Sequence, residues 1–263
     1  MSGSGNDFII IDVRNSDYQF STAQISKISD RTNIGCDQFV LLKNSLEADL
    51  LMEIYNSDGS FSAACGNATR CVAAILMAEK FIDKVTIETA AGILSAWVES
   101  DLIAVNMGKP KFSWSEIPLS EPKNTDDFMI VGRHFAAVNM GNPHIITFIN
   151  QDLSNQEFLT LGSNLEVHPL FPQRTNIEFA QILSPNHIKV RVWERGAGET
   201  LACGSGACAV VVAAIRKNLV AKEKTKVSFK GGDLFIEWSN DGSVIMSGGY
   251  QKIAEGVLDE SLL

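Results

Sequence analysis

Two cysteines occupy matching motifs, each at the start of a predicted helix. Cys65 lies in Ala-Cys-Gly-Asn (64–67) and Cys203 lies in Ala-Cys-Gly-Ser (202–205). The unpaired backbone N–H groups of a helix start carry partial positive charge. Such a site favours a thiolate over a thiol and binds anions such as an α-carboxylate. The two motifs therefore predict two acid/base thiols, each beside a carboxylate-binding helix start.

A single cysteine at a helix start usually packs as a small apolar side chain. Two cysteines at equivalent points of a repeated segment favour a chemical role instead. The other nearby cysteines, Cys71 and Cys208, have spacings that do not fit a zinc knuckle. They also lie off the face of the earlier cysteine. We therefore expect them in the core and predict no metal site.

Two opposed thiols suit the inversion of a carbon centre. One group removes a proton from one face while the other delivers a proton to the opposite face. Helix N-termini stabilise the enolate-like charge that builds on the carboxylate of an amino acid. We therefore predict that Cys65 and Cys203 are the acid and base of an amino-acid epimerase that needs no cofactor.

The chain is internally repeated. Residues 53–67 (EIYNSDGSFSAACGN) align without a gap on residues 191–205 (RVWERGAGETLACGS). Shorter echoes flank them in the same order: Gly5–Ile10 with Gly141–Ile146, Arg31–Ile34 with Arg174–Ile177, and Trp97 with Trp238. Since the repeating unit is too long for a solenoid, two similar domains are indicated. We place them at residues 1–115 and 116–251, with the tail 252–263 packing back onto the first.

Each predicted half is rich in short β-prone runs and contains one strongly apolar helix. The helices are predicted at 65–80 and 203–217, and a proline-containing connector at 110–127. The β-prone runs include Phe8–Val13, Phe39–Leu42, Leu51–Tyr55, Val85–Thr89 and Ile93–Val98. The expected fold class is α+β, with two pseudo-symmetric domains. In each, a barrel-like sheet wraps a central helix, and the active site lies in the cleft between them.

The composition limits the partners. Hydrophobic residues make up 45% of the chain, and the net charge of −9 with a pI near 5.0 argues against nucleic-acid or anionic-membrane partners. The N-terminal residues do not resemble a signal peptide, and no apolar run is long enough to span a bilayer. We expect a cytoplasmic protein with reduced cysteines that acts on a small molecule.

The motifs together resemble those of the diaminopimelate epimerase family. They are GSGNDF (3–8), CDQ (36–38), NSDGSFSAACGNATRC (56–71), GNPH (141–144), RTNIEF (174–179) and ERGAGETLACGSGA (194–207). The resemblance implies a two-domain fold and a homodimer. It further implies interconversion of LL- and meso-diaminopimelate for lysine and cell-wall precursor synthesis, by a PLP-independent two-base mechanism using Cys65 and Cys203.

The same resemblance implies the remaining site residues. Those holding the carboxylate of the reacting centre are Gly66, Asn67, Gly204 and Ser205. Those holding the distant amino-acid end are Asn56, Asn142, Asn176, Glu194 and Arg195. Those lining the pocket are Asn6 and Gln38, while His144 and Glu194 support the thiols.

Departures from the family pattern cluster near the first cysteine, at Cys36, Ala64 and Ala68-Thr69. They keep open a broader amino-acid racemase that accepts glutamate, aspartate or proline-like substrates. A non-catalytic solute-binding or redox-sensing module, in which Cys65 and Cys203 form a disulfide, is a further alternative.

Overall fold

The computed structural model describes residues 1–63 and 65–259, and its contacts divide the chain into two compact units. Unit 1 is Met1–Val105 together with the segment from Ser247, and unit 2 is Asn106–Met246. The segment predicted as a connector, 110–127, lies within unit 2. Its apolar residues Ile117 and Leu119 are buried in the core of that unit, which explains why the segment does not act as a free linker.

Unit 1 consists of a mixed sheet and two helices. Its elements are β1 (Ser2–Gly3), β2 (Asn6–Asp12), α1 (Thr22–Ser29), β3 (Gln38–Lys43), β4 (Leu50–Asn56), β5 (Phe61–Ser62), α2 (Gly66–Lys80), β6 (Lys84–Thr89), β7 (Gly92–Glu99) and β8 (Leu102–Asn106), whose last residue belongs to unit 2. Strand β2 pairs parallel with β3, β3 antiparallel with β4, β4 parallel with β6, and β6 antiparallel with β7. The five predicted strand runs fall on β2, β3, β4, β6 and β7.

Helix α2 is the central helix of unit 1. It follows Cys65 and ends at Phe81, whose left-handed backbone (φ 55°) closes the last turn. Its buried positions include Cys71, Val72 and Leu76, and they pack against β1, β2, β6 and β7. An alanine-rich, mostly apolar sequence favours a helix that is covered on most sides. The prediction of this helix is confirmed.

Unit 2 has the corresponding set of elements. They are β9 (Phe128–Ile130), β10 (Arg133–Asn139), β11 (Pro143–Phe148), α3 (Asn155–Glu166), β12 (Asn176–Ser184), β13 (His187–Glu194), β14 (Gly198–Thr200), α4 (Gly204–Arg216), β15 (Thr225–Phe229), β16 (Gly232–Trp238) and β17 (Val244–Gly248), whose last two residues belong to unit 1. Helix α4 packs against β10, β11, β12, β15 and β16.

The two units repeat one strand order. In unit 2, β11 pairs parallel with β12, β12 antiparallel with β13, β13 parallel with β15, and β15 antiparallel with β16. This is the pattern of β2, β3, β4, β6 and β7, and in each unit a strand hairpin precedes the central helix. The predicted α+β class with two similar halves is therefore confirmed. In the described part of the chain, no helix has the length and apolar character needed to cross a membrane.

Candidate active site

Cys65 is the N-cap residue of α2. Its backbone is extended (φ −148°, ψ 109°), and its side chain does not cap the helix. The thiol is half-buried, whereas Gly66 and Asn67 in the first turn are buried. The Thr69 hydroxyl donates a 2.9 Å hydrogen bond to the Cys65 carbonyl oxygen, so one of the residues that depart from the family pattern holds the start of the helix. Ala64 lies outside the described residues.

A buried arginine links the asparagines near Cys65. The Arg70 guanidinium, 0% exposed, donates to Asn67 Oδ1 at 3.0 Å and to Ser4 Oγ at 2.8 Å. Asn67 in turn donates from Nδ2 to Asn6 Oδ1 at 2.7 Å. The structure therefore brings together two predicted substrate-binding residues, Asn6 and Asn67, and fixes the orientation of their amides.

Gln38 and Asn56 lie opposite each other on β3 and β4. Gln38 Nε2 donates to Asn56 Oδ1 at 3.3 Å, and Asn56 Nδ2 donates to Ser60 Oγ at 3.0 Å. Both residues thus stand at one end of the β3–β4 pair, where the chain turns from β4 into β5 and leads on to Cys65. Their paired amides offer donors and acceptors to a ligand.

Cys203 is the N-cap residue of α4 and, unlike Cys65, is almost completely buried, with 5% exposure. Its Sγ lies 3.6 Å from the Ser205 hydroxyl. Burial raises the pKa of the Cys203 thiol well above its ordinary value, and the carboxylates of Glu194 and Glu178 raise it further. The Ser205 hydroxyl and the Gly206 N–H oppose these effects without overcoming them. Burial and the two carboxylates thus act against the thiolate that a helix start favours at Cys203.

His144 lies between two oxygen atoms. Its Nδ1 is 2.6 Å from Glu178 Oε1 and its Nε2 is 2.9 Å from Asn142 Oδ1. His144 and Glu178 are both 0% exposed, on the parallel strands β11 and β12. Burial raises the pKa of Glu178, although His144 opposes this shift. The predicted supporting residue His144 is thus held by a carboxylate on the neighbouring strand.

Glu194 and Arg195 lie at the end of β13. The Thr200 hydroxyl donates a short hydrogen bond to Glu194 Oε1. Asn176 accepts from the Arg195 backbone N–H at 2.9 Å, and its own amide donates to the Pro143 carbonyl oxygen at 2.7 Å. These contacts fix Asn176 and the backbone of Arg195 next to Glu194, so these three predicted residues come together in unit 2.

Gly206 in α4 lies in contact with the thiol and with Glu178. A Cβ atom at this position would lie 2.7 Å from Glu178 Oε1 and 3.3 Å from Cys203 Sγ. Only glycine leaves room for both groups at this turn of the helix.

Among the residues of these clusters, Arg70, Glu178, Thr200 and Gly206 carry no role in the sequence-based prediction. The sequence does single out Glu178, because this carboxylate stands between apolar residues in the strand motif RTNIEF (174–179). Cys71 and Cys208 are 0% exposed, which confirms their predicted place in the core. Cys36 is buried as well, and burial raises the pKa of its thiol.

The chain matches the family model described as diaminopimelate epimerase over residues 1–113 and 136–253. A diaminopimelate epimerase of Acidiphilium cryptum (strain JF-5) is 45% identical over 268 residues, covering 100% of this chain and 96% of the relative. One from Gluconobacter oxydans (strain 621H) is 48% identical over 252 residues, covering 94% and 93%.

Solved structures of other epimerases have the same fold. A predicted epimerase from Pseudomonas aeruginosa superposes with a TM-score of 0.67 at 18% identity, covering 97% of this chain and 93% of that one. A hydroxyproline epimerase from Agrobacterium vitis has a TM-score of 0.61 at 15% identity, covering 87% and 77%. At such identities the likeness concerns the fold alone. The match of the family model and the identity to the curated relatives show that this chain belongs to the diaminopimelate epimerase family.

Proposed function

We propose that this protein interconverts LL-2,6-diaminopimelate and meso-diaminopimelate by a two-base mechanism, with Cys65 and Cys203 as the proton-transfer pair and without PLP. Membership of the family supports the reaction and its place in lysine and peptidoglycan precursor synthesis. The observation that carries the mechanism is the repeated geometry of the two thiols. Each is the N-cap of the central helix of its unit, with an extended backbone and no capping role.

The different surroundings of the thiols suggest the direction of one half-reaction. Cys203 is buried beside carboxylates, and this environment favours the protonated thiol. In the direction where Cys203 is the acid, Cys65 as thiolate takes the Cα proton. The electron pair left on Cα delocalises onto the carboxylate, and the Cys203 S–H delivers its proton to the opposite face. The reverse reaction exchanges the two roles, so each turnover conserves protons.

The first-turn backbone groups of both helices serve the reacting centre in this scheme. Gly66-Asn67 and Gly204-Ser205 offer N–H donors to the carboxylate as negative charge builds on it. The distant end of the substrate would be held by Glu194, which accepts from an ammonium group, and by the Arg195 guanidinium, which forms a fork with a carboxylate. Asn56, Asn142 and Asn176 would add neutral donors and acceptors.

Isotope exchange tests this proposal. In D₂O, without added PLP, the reduced protein should incorporate deuterium at Cα of LL-diaminopimelate and form the meso isomer, as followed by NMR and mass spectrometry. Cys65→Ser and Cys203→Ser should each lose most of the activity because a hydroxyl is a much weaker acid than a thiol. Cys36→Ser is the matched control, since Cys36 is buried against the Ser29 hydroxyl outside both clusters. Wild-type protein that neither exchanges nor epimerises would exclude the proposal.

A substrate panel separates this function from the alternative of a broader racemase. Glutamate, aspartate and proline should turn over at least about a hundredfold more slowly than diaminopimelate, because they leave the Glu194 and Arg195 groups without a partner. Comparable kcat/KM for one of these substrates would favour the racemase.

We also propose a cytoplasmic homodimer, as the family resemblance implies. Sedimentation should then give twice the chain mass of 28.6 kDa. The five cysteines, all in the described part of the chain, are thiols here, which is compatible with a reducing compartment. A monomer at micromolar concentration would contradict the assembly, and secretion of the full-length protein would contradict the compartment.

A further inference from the structure

The mechanism above gives no role to Glu178, although this residue is the fully buried carboxylate of unit 2. It lies on β12 with 0% exposure, and its Oε1 is 2.6 Å from His144 Nδ1. Its Oε2 receives no hydrogen bond from any residue that the structure describes. A buried carboxylate with an unsatisfied oxygen is costly unless it is held neutral or serves a purpose.

The hydrogen bonds of His144 define the number of protons in this pair. Asn142 Oδ1 is an acceptor, so His144 Nε2 carries a hydrogen in this arrangement. A single further proton then lies between His144 Nδ1 and Glu178 Oε1. On the nitrogen it gives an imidazolium with a carboxylate, and on the oxygen it gives a neutral imidazole with a carboxylic acid. The pair has no net charge in either form.

The pair lies beside the proposed acid. Glu178 Oε1 and Cys203 Sγ are both within 3.3 Å of the point where a Cβ atom on Gly206 would lie. The titratable groups that act on the Cys203 thiol are Glu178 and Glu194, and those that act on Glu178 are His144 and Glu194. Strands β10 and β16 also pack against α4, but their buried positions are apolar.

We propose that Glu178 is a positioning residue that shares one proton with His144 beside Cys203, and that the place of this proton adjusts to the charge of the thiol. When Cys203 has given up its proton, the negative sulfur favours the shared proton on Glu178 Oε1, which leaves a neutral acid next to the thiolate. When Cys203 is reprotonated, the shared proton can return to His144 Nδ1. The N–H bond breaks as the O–H bond forms, and no other reactant is required. The inference rests on the proposed function of Cys203.

Alkylation of Cys203 tests this inference without turnover. In a Cys65→Ala background, peptide mass spectrometry assigns modification by iodoacetamide to Cys203 and separates it from Cys36, Cys71 and Cys208, which are 2%, 0% and 0% exposed against 5% for Cys203. Glu178→Gln keeps the shape of the side chain but removes the carboxylate that disfavours the thiolate. We expect the pH profile of Cys203 alkylation to shift to lower pH. For each unit by which the pKa of the thiol falls, alkylation at neutral pH should become about tenfold faster.

Turnover supplies the second readout. In the wild-type background, Glu178→Gln should lower kcat by about tenfold or more with KM within about twofold, because proton transfer and not binding is affected. Glu178→Asp, which retains a carboxylate, should recover part of the activity and give an intermediate alkylation profile. If the Glu178→Gln variant folds poorly, the Glu178→Asp variant still provides the alkylation and activity comparison.

The inference is overturned if the alkylation profiles of the folded variants coincide with that of their parent, whatever happens to activity. Absence of diaminopimelate turnover by the wild-type protein would instead count against the proposed function. Since alkylation is measured independently of substrate, the two failures can be distinguished.

Discussion

Gly206 and Cys203 are in contact within the first turn of α4, and an added methyl group at residue 206 would lie 3.3 Å from the sulfur atom. The same methyl group would lie 2.7 Å from Glu178 Oε1, a separation that requires one of the groups to move. The position of the Cys203 thiol therefore depends on the absence of a side chain at Gly206.

Gly206→Ala should lower kcat/KM by about a hundredfold, since displacements of about 1 Å at a reacting group have effects of this size. The measurement is steady-state epimerisation, with circular dichroism to verify folding. Gly249→Ala is the matched control, because a Cβ at that position meets no atom of the described residues within 4 Å, apart from its chain neighbours. An active Gly206→Ala variant would show that the thiol position tolerates this change.

Arg70→Lys should weaken both binding and stability. Lysine cannot reproduce the two hydrogen bonds from the guanidinium to Asn67 and Ser4. We expect a loss of about 2–3 kcal/mol in the free energy of unfolding, measured by urea denaturation, because hydrogen bonds of buried charged groups are strong. KM should rise several-fold as Asn67 loses its fixed orientation.

Arg14→Lys provides the matched control for this change. It is the same substitution in the same unit, at a side chain that pairs with Asp12 and Glu79 near the surface. Its effect on stability should remain below about 1 kcal/mol, and its KM should be unchanged. Equal effects of the two substitutions on KM would refute a special role for Arg70.

Thr200→Val should affect substrate binding through Glu194. The valine has nearly the same shape but removes the hydroxyl that donates to Glu194 Oε1. A hydrogen bond to a charged group is worth about 1.5–3 kcal/mol, so we expect KM for diaminopimelate to rise by about tenfold. Thr160→Val, on the exposed face of α3, is the control. If the Thr200→Val variant has an unchanged KM, Glu194 is oriented by other contacts.

Asp49 should make the stability of unit 1 depend on pH. The Thr86 backbone N–H and the Lys80 ammonium group lower the pKa of Asp49 below its ordinary value. The contribution of the Asp49 carboxylate to the free energy of unfolding is therefore complete above the unfolded-state pKa of 3.8. It is lost as the pH falls through the lower pKa of the folded state. Asp49→Asn should reduce the free energy of unfolding at neutral pH by less than about 1 kcal/mol, because the pair is partly exposed.

Urea denaturation at several pH values checks this dependence. The difference between wild type and Asp49→Asn should shrink as the pH is lowered below 4. A difference that stays constant through this range would show that the charge of Asp49 contributes nothing.

The sequence by itself determined the features that depend on local order along the chain. The repeated Ala-Cys-Gly motif, the apolar helices and the alternating strands are local patterns, and the structure places Cys65 and Cys203 at the starts of α2 and α4 as predicted. The family motifs indicated the substrate, because they contain the residues that bind and react as well as those that determine the fold.

Only the tertiary structure decided the surroundings of the Cys203 thiol. A helix start alone favours the thiolate, but the fold brings Glu178 and Glu194 from separate strands close to Cys203 and removes water from it. Likewise, the contact of Arg70 with Ser4 joins residues that are distant in sequence. Burial and charge at a point in space depend on strand register and packing, and these are set by the whole fold rather than by a local motif.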